Sequence, residues 1–294
     1  MVRHFLTDDD FTKDETLRLL SFAGELKNRP VQPLLPSKNV ALVFSKPSTR
    51  TRVSFEVGIS QLGANAIFMT SDESQMKRGE PFSDFARTLS RYVNAIVVRT
   101  GSHADLQELA KHSTVPVING LTDAWHPCQA LADFMTIKEK KGLTGIKIAF
   151  LGDGNNNVCR SLIRTAAKLG VHLVVACPKA YAPAKEVLKG ASGVKVTDKP
   201  KDAVKGADVV YSDTWVSMGD EAEAAERRKA FKPFQVNAAL LKLAKKDAIF
   251  MHCLPAHRGE EVTAEVIEGK QSVVFDQAEN RLHVQKAVLA TLLR

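Results

Sequence analysis

The stretch from residue 39 to residue 52 reads NVALVFSKPSTRTR, an apolar run followed by hydroxyl and guanidinium side chains. Residues 39–44 have the length and composition of a buried strand, and apolar residues recur at helical spacing from 51 to 62. Together they predict a strand, a turn and the start of a helix. Four polar side chains lie at that turn: Ser48, Thr49, Arg50 and Thr51.

This polar turn is typical of an anion site, and phosphate is the favoured guest. Backbone N–H groups at the first turn of a helix carry partial positive charge, and the hydroxyls and Arg50 would add donors. A simpler interpretation is that Ser48 or Thr49 only caps the helix while Arg50 lies at the surface. A cap needs one hydroxyl, however, which leaves the other side chains unexplained.

Short apolar runs of strand length alternate with helical patterns along the whole chain. The predicted strands are 39–44, 65–69, 95–99, 115–118, 147–151, 172–176, 194–197, 208–212 and 248–252. The clearest helical patterns are 51–62, 84–92, 103–111, 127–140 and 279–294. Because strands and helices alternate, we predict an α/β fold with parallel sheets covered on both faces.

Glycines interrupt the pattern after the helix at 127–140, and a second alternating set follows. We therefore expect two doubly wound parallel-sheet α/β domains joined by that helix, residues 1–132 and 133–294. The final helix, 279–294, is expected to pack back on the first domain. One long polar connection, 214–235, has the length of a functional segment.

Composition narrows the class of protein. The chain has 294 residues, 44% hydrophobic and 25% charged, as in soluble globular proteins. It lacks an apolar stretch of membrane-spanning length or a signal-peptide pattern, so we expect a cytoplasmic protein without membrane contact. Its four cysteines are far apart, which argues against disulfides. The net charge of +8 is spread without a long basic run, which disfavours nucleic acid.

Histidine and cysteine residues invite a metal interpretation, which the pattern does not support. The candidates are His126, Cys128, His252, Cys253 and His257. No paired-ligand spacing occurs, and adjacent His252 and Cys253 are expected to point to opposite sides of an extended strand end. We therefore predict no metal, and Cys128 is expected to be a core residue.

Polar residues follow the predicted strands, and ligands of open α/β sheets bind beyond the carboxyl ends of strands. Asp213 and Cys253 follow two strands of the second set. A carboxylate near a thiol can hold an ammonium and help it lose a proton, which an amine needs before attacking a carbonyl carbon. The alternatives are that Asp213 caps a helix and Cys253 is a buried spectator.

A further turn, GDGNNN at 152–157, follows a strand and opens a helix. Only two glycines are present, so a dinucleotide site is weakly indicated. The asparagines are better suited to hydrogen-bonding a zwitterionic substrate, although turn residues of this kind also occur without a ligand.

Four segments, in this order, resemble the aspartate/ornithine transcarbamylase family, and specifically its ornithine branch. They read STRT at 48–51, HPCQ at 126–129, DTWVSMG at 213–219 and HCLP at 252–255. The first two look like the family's carbamoyl phosphate motifs, and the last two look like its amino-acid motifs. The resemblance runs nearly end to end.

The resemblance implies a carbamoyl phosphate site made of Ser48, Thr49, Arg50, Thr51, Gln75, Arg99, His126, Gln129, Cys253, Leu254 and Arg281. Arg99 would bridge phosphate and carbonyl, and with Thr51 and His126 it would stabilise the oxyanion. Gln129 and the Leu254 carbonyl would hold the carbamoyl amide. Gln75 looks like the residue that the family sends into a neighbouring subunit's site, which implies a homotrimer.

The resemblance also implies an ornithine site made of Asn157, Asp213, Ser217 and Met218. The catalytic residues that the resemblance implies are Arg50, Arg99, His126, Asp213 and Cys253. Ornithine's δ-amine would attack the carbonyl, phosphate would leave, and citrulline would form without metal or organic cofactor, as in arginine biosynthesis. Three asparagines stand where the family has two, so Asn156 remains an alternative to Asn157. Putrescine and N-acetylornithine also remain open as acceptors.

Two functions of other classes remain alternatives. One is a non-catalytic anion-binding or RNA-binding protein on the same scaffold, and the other is a zinc hydrolase. The first requires binding that weakens steeply with salt, and the second requires a bound metal.

Overall fold

The computed structural model describes residues 2–71, 74–75, 79–216 and 221–294, without the side chain of Glu221. The chain divides into two compact units, Met1–Met135 with Glu279–Arg294, and Thr136–Ala278. Each unit contains one wholly parallel sheet with helices, so the predicted fold class is confirmed. No helix in the described part of the chain combines the length and apolar character needed to cross a membrane.

The first unit contains a four-stranded parallel sheet in the order β2-β1-β3-β4. The strands are β1 (Asn39–Phe44), β2 (Asn65–Thr70), β3 (Ala95–Arg99) and β4 (Val117–Leu121). Its helices are α1 (Lys13–Asn28), α2 (Thr49–Gln61), α3 (Phe82–Leu89) and α4 (His103–His112). The chain reverses its direction across the sheet between β1 and β3, and such a switch point opens a crevice at the carboxyl ends of the strands.

The second unit contains a five-stranded parallel sheet in the order β7-β6-β5-β8-β9. The strands are β5 (Lys147–Leu151), β6 (His172–Ala176), β7 (Val194–Thr197), β8 (Val209–Ser212) and β9 (Ile249–His252). Its switch point lies between β5 and β8. Strand β5 is buried from Ile148 onward and is rich in apolar residues, as a central parallel strand must be.

The remaining helices begin with α5 (Pro127–Lys141) and end with α12 (Val274–Leu293). Between them lie α6 (Asn157–Leu169), α7 (Lys185–Leu188), α8 (Pro200–Val204), α9 (Ala224–Phe231), α10 (Ala238–Leu241) and α11 (Ala264–Ile267). The unit boundary at residues 135 and 136 lies close to the expected boundary at 132 and 133, and residues 279–294 group with the first unit.

Three expectations about elements need correction. The segment 214–235 is not a continuous connection, because α9 forms within it from alanine, glutamate, arginine and lysine, which are good helix formers with little apolar signal. Strand β4 ends three residues later than the predicted 118, because Asn119, a poor strand former, pairs with Val98 and, after a register shift past Gly120, Leu121 pairs with Arg99. Helix α1 was not predicted at all, although Thr12 and Glu15 form a reciprocal capping box at its start.

Helix α12 packs closely on α2 in the first unit, and Gly58 makes that approach possible. A Cβ atom at Gly58 would lie 3.1 Å from the Lys286 Cγ and 3.3 Å from the Leu282 Cδ1. Gly24 in α1 differs, because a Cβ atom there would meet no heavy atom of another segment within 4 Å among the described residues. The two helical glycines therefore have opposite steric surroundings.

Replacing each glycine with alanine tests this packing. We expect Gly58→Ala to lower the free energy of unfolding by about 1–3 kcal/mol because the added methyl overpacks the contact with α12. Gly24→Ala should instead raise it by about 0.5–1 kcal/mol, since alanine restricts the unfolded chain. Urea unfolding of both variants measures this, and a stabilised Gly58→Ala protein would contradict the close contact.

Candidate active site

The turn after β1 caps α2 with only one of its hydroxyls. Ser48 is the N-cap, and its Oγ accepts from the Thr51 backbone N–H at 3.3 Å. The capping interpretation is therefore correct for Ser48 but does not account for the rest of the turn. Arg52 leaves the turn, because its Nε donates to Glu56 at 3.0 Å and its guanidinium lies over the Phe68 ring.

Two buried guanidinium groups converge on Thr51, whose side chain is also buried. Arg99 Nη1 donates to Thr51 Oγ1 at 3.5 Å, and Arg281 Nη2 donates to the same oxygen at 3.3 Å. Burial, and then the charges of Arg281 and Arg50, lower the pKa of Arg99 to about 10. Like charges held out of water repel each other, so an anion bound here would be strongly stabilised.

His126 lies at the end of the segment after β4, and it is buried. Burial, and then the charges of Arg281 and Arg99, hold the pKa of His126 well below its usual value of 6.5. The imidazole is therefore neutral at pH 7 and can donate one hydrogen bond to a carbonyl oxygen. Neighbouring Cys128 is a core residue, and burial raises the pKa of its thiol to about 12.

Gln129 is held between two charged side chains. Its Oε1 accepts from Arg281 Nη1 at 2.6 Å, and its Nε2 donates to Asp133 Oδ1 at 2.8 Å. The carboxylate thus fixes which end of the amide faces Arg281. Sequence reasoning missed Asp133, although its position four residues after Gln129 on α5 places both on one helix face.

Gln75 lies between β2 and α3 and has an exposed side chain. Its backbone carbonyl accepts from the Glu80 N–H at 3.2 Å.

In the second unit, Asp213 and Cys253 lie together at the carboxyl ends of β8 and β9. Cys253 Sγ donates to Asp213 Oδ1 at 2.9 Å, and the Thr214 N–H donates to the same oxygen at 2.8 Å. Burial raises the pKa of Asp213, which makes the carboxylate a better proton acceptor than an exposed one. Asp213 caps no helix, and Cys253 is partly exposed.

The asparagine turn after β5 supplies a third group to Asp213. Asn156 Nδ2 donates to Asp213 Oδ2 at 2.9 Å, while its Oδ1 accepts from the Cys159 N–H at 2.7 Å as the N-cap of α6. Both ends of the Asn156 amide are thus engaged within the protein. Asn157 is the first residue of α6.

The expected separation of His252 and Cys253 is wrong. One ligand atom from each of these residues and from Asp213 lie within 4.8 Å of one another, because the chain turns directly after β9. The Leu254 N–H donates to His252 Nδ1 at 2.9 Å, so Nε2 carries the proton toward Glu261 Oε1, 3.2 Å away. Both ring nitrogens are therefore occupied by protein groups.

Leu254 has a strained backbone next to Cys253. Its φ is 59°, in the left-handed region, which costs a residue other than glycine about 1–2 kcal/mol. Strain of this kind is concentrated at functional sites. Ser217 and Met218, the other two residues expected to bind ornithine, lie outside the described residues.

Arg227 on α9 is a buried residue that sequence reasoning missed. Its guanidinium pairs with Asp153 in the turn after β5, and its Nε donates to the Trp215 carbonyl at 2.6 Å. It therefore links the asparagine turn to the segment after Asp213. No motif marks it, since the surrounding helix is rich in charged residues.

The raised pKa of Asp213 can be tested by replacing it with asparagine and measuring how the free energy of unfolding depends on pH. In the unfolded chain this carboxyl ionises near its usual pKa of about 3.9, below its folded value. Between those values the folded protein binds more protons, so the free energy of unfolding falls as pH rises. Asp213→Asn cannot titrate and should gain stability relative to the unsubstituted protein as pH rises from about 4.

Urea unfolding across this pH range measures the difference. The matched control is Asp202→Asn, an exposed aspartate of the same unit. If Asp213→Asn and Asp202→Asn showed the same pH dependence, the buried, raised-pKa account of Asp213 would be contradicted.

Comparison with known proteins agrees with this arrangement. Residues 3–139 match the family description "Aspartate/ornithine carbamoyltransferase, carbamoyl-P binding domain", and residues 144–292 match "Aspartate/ornithine carbamoyltransferase, Asp/Orn binding domain". The chain is 55% identical to an ornithine carbamoyltransferase of Carboxydothermus hydrogenoformans, over 99% of this chain and 97% of the relative. It is 52% identical to a Pyrococcus furiosus protein named "Ornithine carbamoyltransferase, anabolic", over 99% of this chain and 96% of the relative.

A solved structure of ornithine carbamoyltransferase from Pyrococcus furiosus is similar to this one, with a TM-score of 0.95 and 52% identity over 99% of this chain and 97% of that chain. The match therefore extends over both units and both sets of site residues. This chain belongs to the aspartate/ornithine carbamoyltransferase family.

Proposed function

We propose that this protein transfers the carbamoyl group of carbamoyl phosphate to the δ-amine of L-ornithine, giving L-citrulline and phosphate. The observation that carries the proposal is the convergence of Arg99 and Arg281 on Thr51 at the start of α2. Buried cations at the positive end of a helix favour a small, highly charged anion such as the phosphoryl group of carbamoyl phosphate.

The phosphoryl group is assigned to the start of α2. Ser48 and Thr49 offer hydroxyl and backbone donors, and Arg50 offers a guanidinium that can bind two phosphate oxygens at once. Ser48 Oγ already accepts from Thr51, and its O–H can still donate. These donors would also stabilise the charge that the phosphate gains as it leaves.

The carbonyl oxygen is assigned to Thr51, Arg99 and His126. As the carbon becomes tetrahedral, negative charge develops on that oxygen, and fixed donors stabilise it more than they stabilise the ground state. A neutral His126 donates without adding a further positive charge beside Arg99. Gln129 Oε1 and the Leu254 carbonyl would accept from the carbamoyl amide.

The δ-amine is assigned to Asp213 and Cys253, with the α-amino and carboxylate groups met by Asn157, Ser217 and Met218. Asn157 is assigned to a substrate contact, and Asn156, whose amide is engaged at both ends, is assigned to orienting Asp213. Asp213 holds the ammonium and accepts one proton from it as a general base. The amine nitrogen then bonds to the carbonyl carbon, the carbon–oxygen bond to phosphate breaks, and the phosphate takes the remaining proton.

The same proposal includes an oligomeric state, a metabolic pathway and a cellular location. Gln75 is assigned to the site of a neighbouring subunit in a homotrimer, and its exposure is compatible with such a role. The anabolic name of the Pyrococcus furiosus relative supports arginine biosynthesis as the setting, and we place the protein in the cytoplasm.

A citrulline assay tests the reaction. We expect citrulline from carbamoyl phosphate and ornithine, and at least about a hundredfold lower kcat/KM with putrescine, N-acetylornithine or aspartate, since each lacks or changes a group that the site would bind. Colorimetric detection of the ureido product measures all four acceptors. Product from another acceptor with none from ornithine would overturn the proposal.

Substitutions at Arg50 and Cys253 distinguish the residues that bind carbamoyl phosphate from those that bind ornithine. Arg50→Ala should raise KM for carbamoyl phosphate by at least about a hundredfold, since a charge-assisted contact to phosphate is lost. Arg50→Lys should restore only part of this, because a point charge cannot reproduce a forked contact. Cys253→Ala should chiefly raise KM for ornithine. Small, equal effects of Arg50→Ala and Cys253→Ala on both KM values would contradict the assigned roles.

A further inference from the structure

Lys286 on α12 is a buried lysine with three neutral acceptors. Its side chain has an exposed fraction of 0%. Its Nζ donates to the Leu26 carbonyl at 3.1 Å, the Pro30 carbonyl at 3.0 Å and Gln61 Oε1 at 2.8 Å. An ammonium has three N–H donors, so this site satisfies all of them.

The site is unusual because a buried cation is normally paired with an anion. Among the described residues, none of the ion pairs includes Lys286, and burial lowers its pKa to about 8. Removing an ammonium from water without a carboxylate partner is costly. A purely apolar side chain would avoid that cost, so the three directed hydrogen bonds need an explanation.

The acceptors show what Lys286 holds together. Leu26 belongs to the last turn of α1, Pro30 follows that helix, and Gln61 is the last residue of α2. Carbonyl groups at the end of a helix carry partial negative charge and attract a cation. Lys286 therefore fixes α12 to the carboxyl ends of two helices at once.

The opposite end of α2 is fixed by Arg281, five residues before Lys286 on the same helix. Arg281 donates to Thr51 in the first turn of α2 and to Gln129. Helix α12 is thus attached to α2 at both ends, about 15 Å apart for ten residues of helix. The tight contact at Gly58 lies between these two attachments.

We infer that Lys286 is a positioning residue for Arg281, because it fixes the register of α12 along α2 and so holds the Arg281 guanidinium on Thr51 and Gln129. Lys286 itself contacts no residue assigned to substrate. The inference rests on the proposed function only for the role of Arg281 in binding carbamoyl phosphate. Sliding or rotation of α12 would move Arg281, and a shift of about 1 Å in a positioned group can cost up to about a hundredfold in rate.

The titratable neighbours of Lys286 are few in the described residues. On α12, His283 feels the charge of Lys286 and binds Glu279 at 3.2 Å. On α1, Lys27 also affects His283 and donates to Asn280 at 2.9 Å. On α2 the facing group is the neutral Gln61. Above about pH 8 Lys286 loses a donor and can no longer satisfy three acceptors.

The first test is Lys286→Met, which keeps the length of the side chain and removes the donors. We expect Kd for inorganic phosphate, measured by isothermal titration calorimetry, and KM for carbamoyl phosphate both to rise about tenfold, through displacement of Arg281. KM for ornithine at saturating carbamoyl phosphate should change less than about twofold. The matched control is Leu109→Ala, which lowers stability at a buried residue of α4, in an apolar cluster whose described members include no residue of α12.

A second pair of variants tests the contact itself. Gln61→Met removes one acceptor and should raise Kd for phosphate in the same direction, and combining it with Lys286→Met should add little more, since both break one contact. Gln61→Glu should keep the contact and hold Lys286 charged above about pH 8. The ratio of phosphate Kd in the unsubstituted protein to that in Gln61→Glu should therefore rise with pH.

The outcomes separate this inference from the proposed function. If the unsubstituted protein makes citrulline while Lys286→Met binds phosphate and carbamoyl phosphate as tightly, the positioning role is overturned. Equal losses for Lys286→Met and Leu109→Ala would overturn it as well, since the effect would then reflect stability alone. Absence of citrulline from the unsubstituted protein would instead overturn the proposed function.

Discussion

The buried guanidinium groups of Arg99 and Arg281 both donate to the hydroxyl of Thr51, and the strand and helices that carry these residues bring them together. Arg99 reaches Thr51 from the end of β3, and Arg281 reaches it from α12. Burial, and then the charges of neighbouring guanidinium groups, lower the pKa of Arg99 and the pKa of His126, which leaves His126 neutral. The free-energy cost of burying these like charges together is offset when an anion binds, so the fold itself favours anion binding.

The two units share one topological feature, a switch point in a parallel sheet, but carry different chemical groups there. Each parallel sheet has a switch point, between β1 and β3 in the first unit and between β5 and β8 in the second. At the first, the strand ends supply cations and a helix N-terminus. At the second, they supply the buried carboxylate of Asp213 with donors from Cys253 and Asn156. A basic site suits the phosphate of a carbamoyl donor, and an acidic site suits the amine acceptor.

Much of this could be predicted from the sequence, because strand and helix periodicity is strong in a buried parallel sheet. The strands β1, β3, β5 and β6 begin and end where the pattern indicates. Motif residues such as Thr51, Asp213 and Cys253 could be selected because they follow strands. Helix α9 was not predicted because its residues are helix formers without an apolar stripe. The predicted end of β4 came too early because the last residues of that strand are poor strand formers.

Residues that act through other residues could not be found in the same way. Asp133 orients Gln129, Arg227 joins two loops, and Lys286 joins three helices, yet each looks in the sequence like an ordinary charged residue on a helix. Their roles depend on contacts between segments distant along the chain. Capping and i,i+4 spacing give local hints for α1 and Asp133, but nothing local marks Lys286 or Arg227.

The central claim is that the carbonyl carbon of carbamoyl phosphate breaks its bond to the phosphate oxygen and forms a bond to the δ-nitrogen of ornithine. Carbamoyl phosphate labelled with ¹³C, incubated with ornithine and the protein and followed by ¹³C and ³¹P nuclear magnetic resonance, tests this directly. We predict that the label appears in the ureido carbon of citrulline with one phosphate released for each citrulline formed. Release of phosphate with the label recovered as bicarbonate would show hydrolysis instead and would contradict the account.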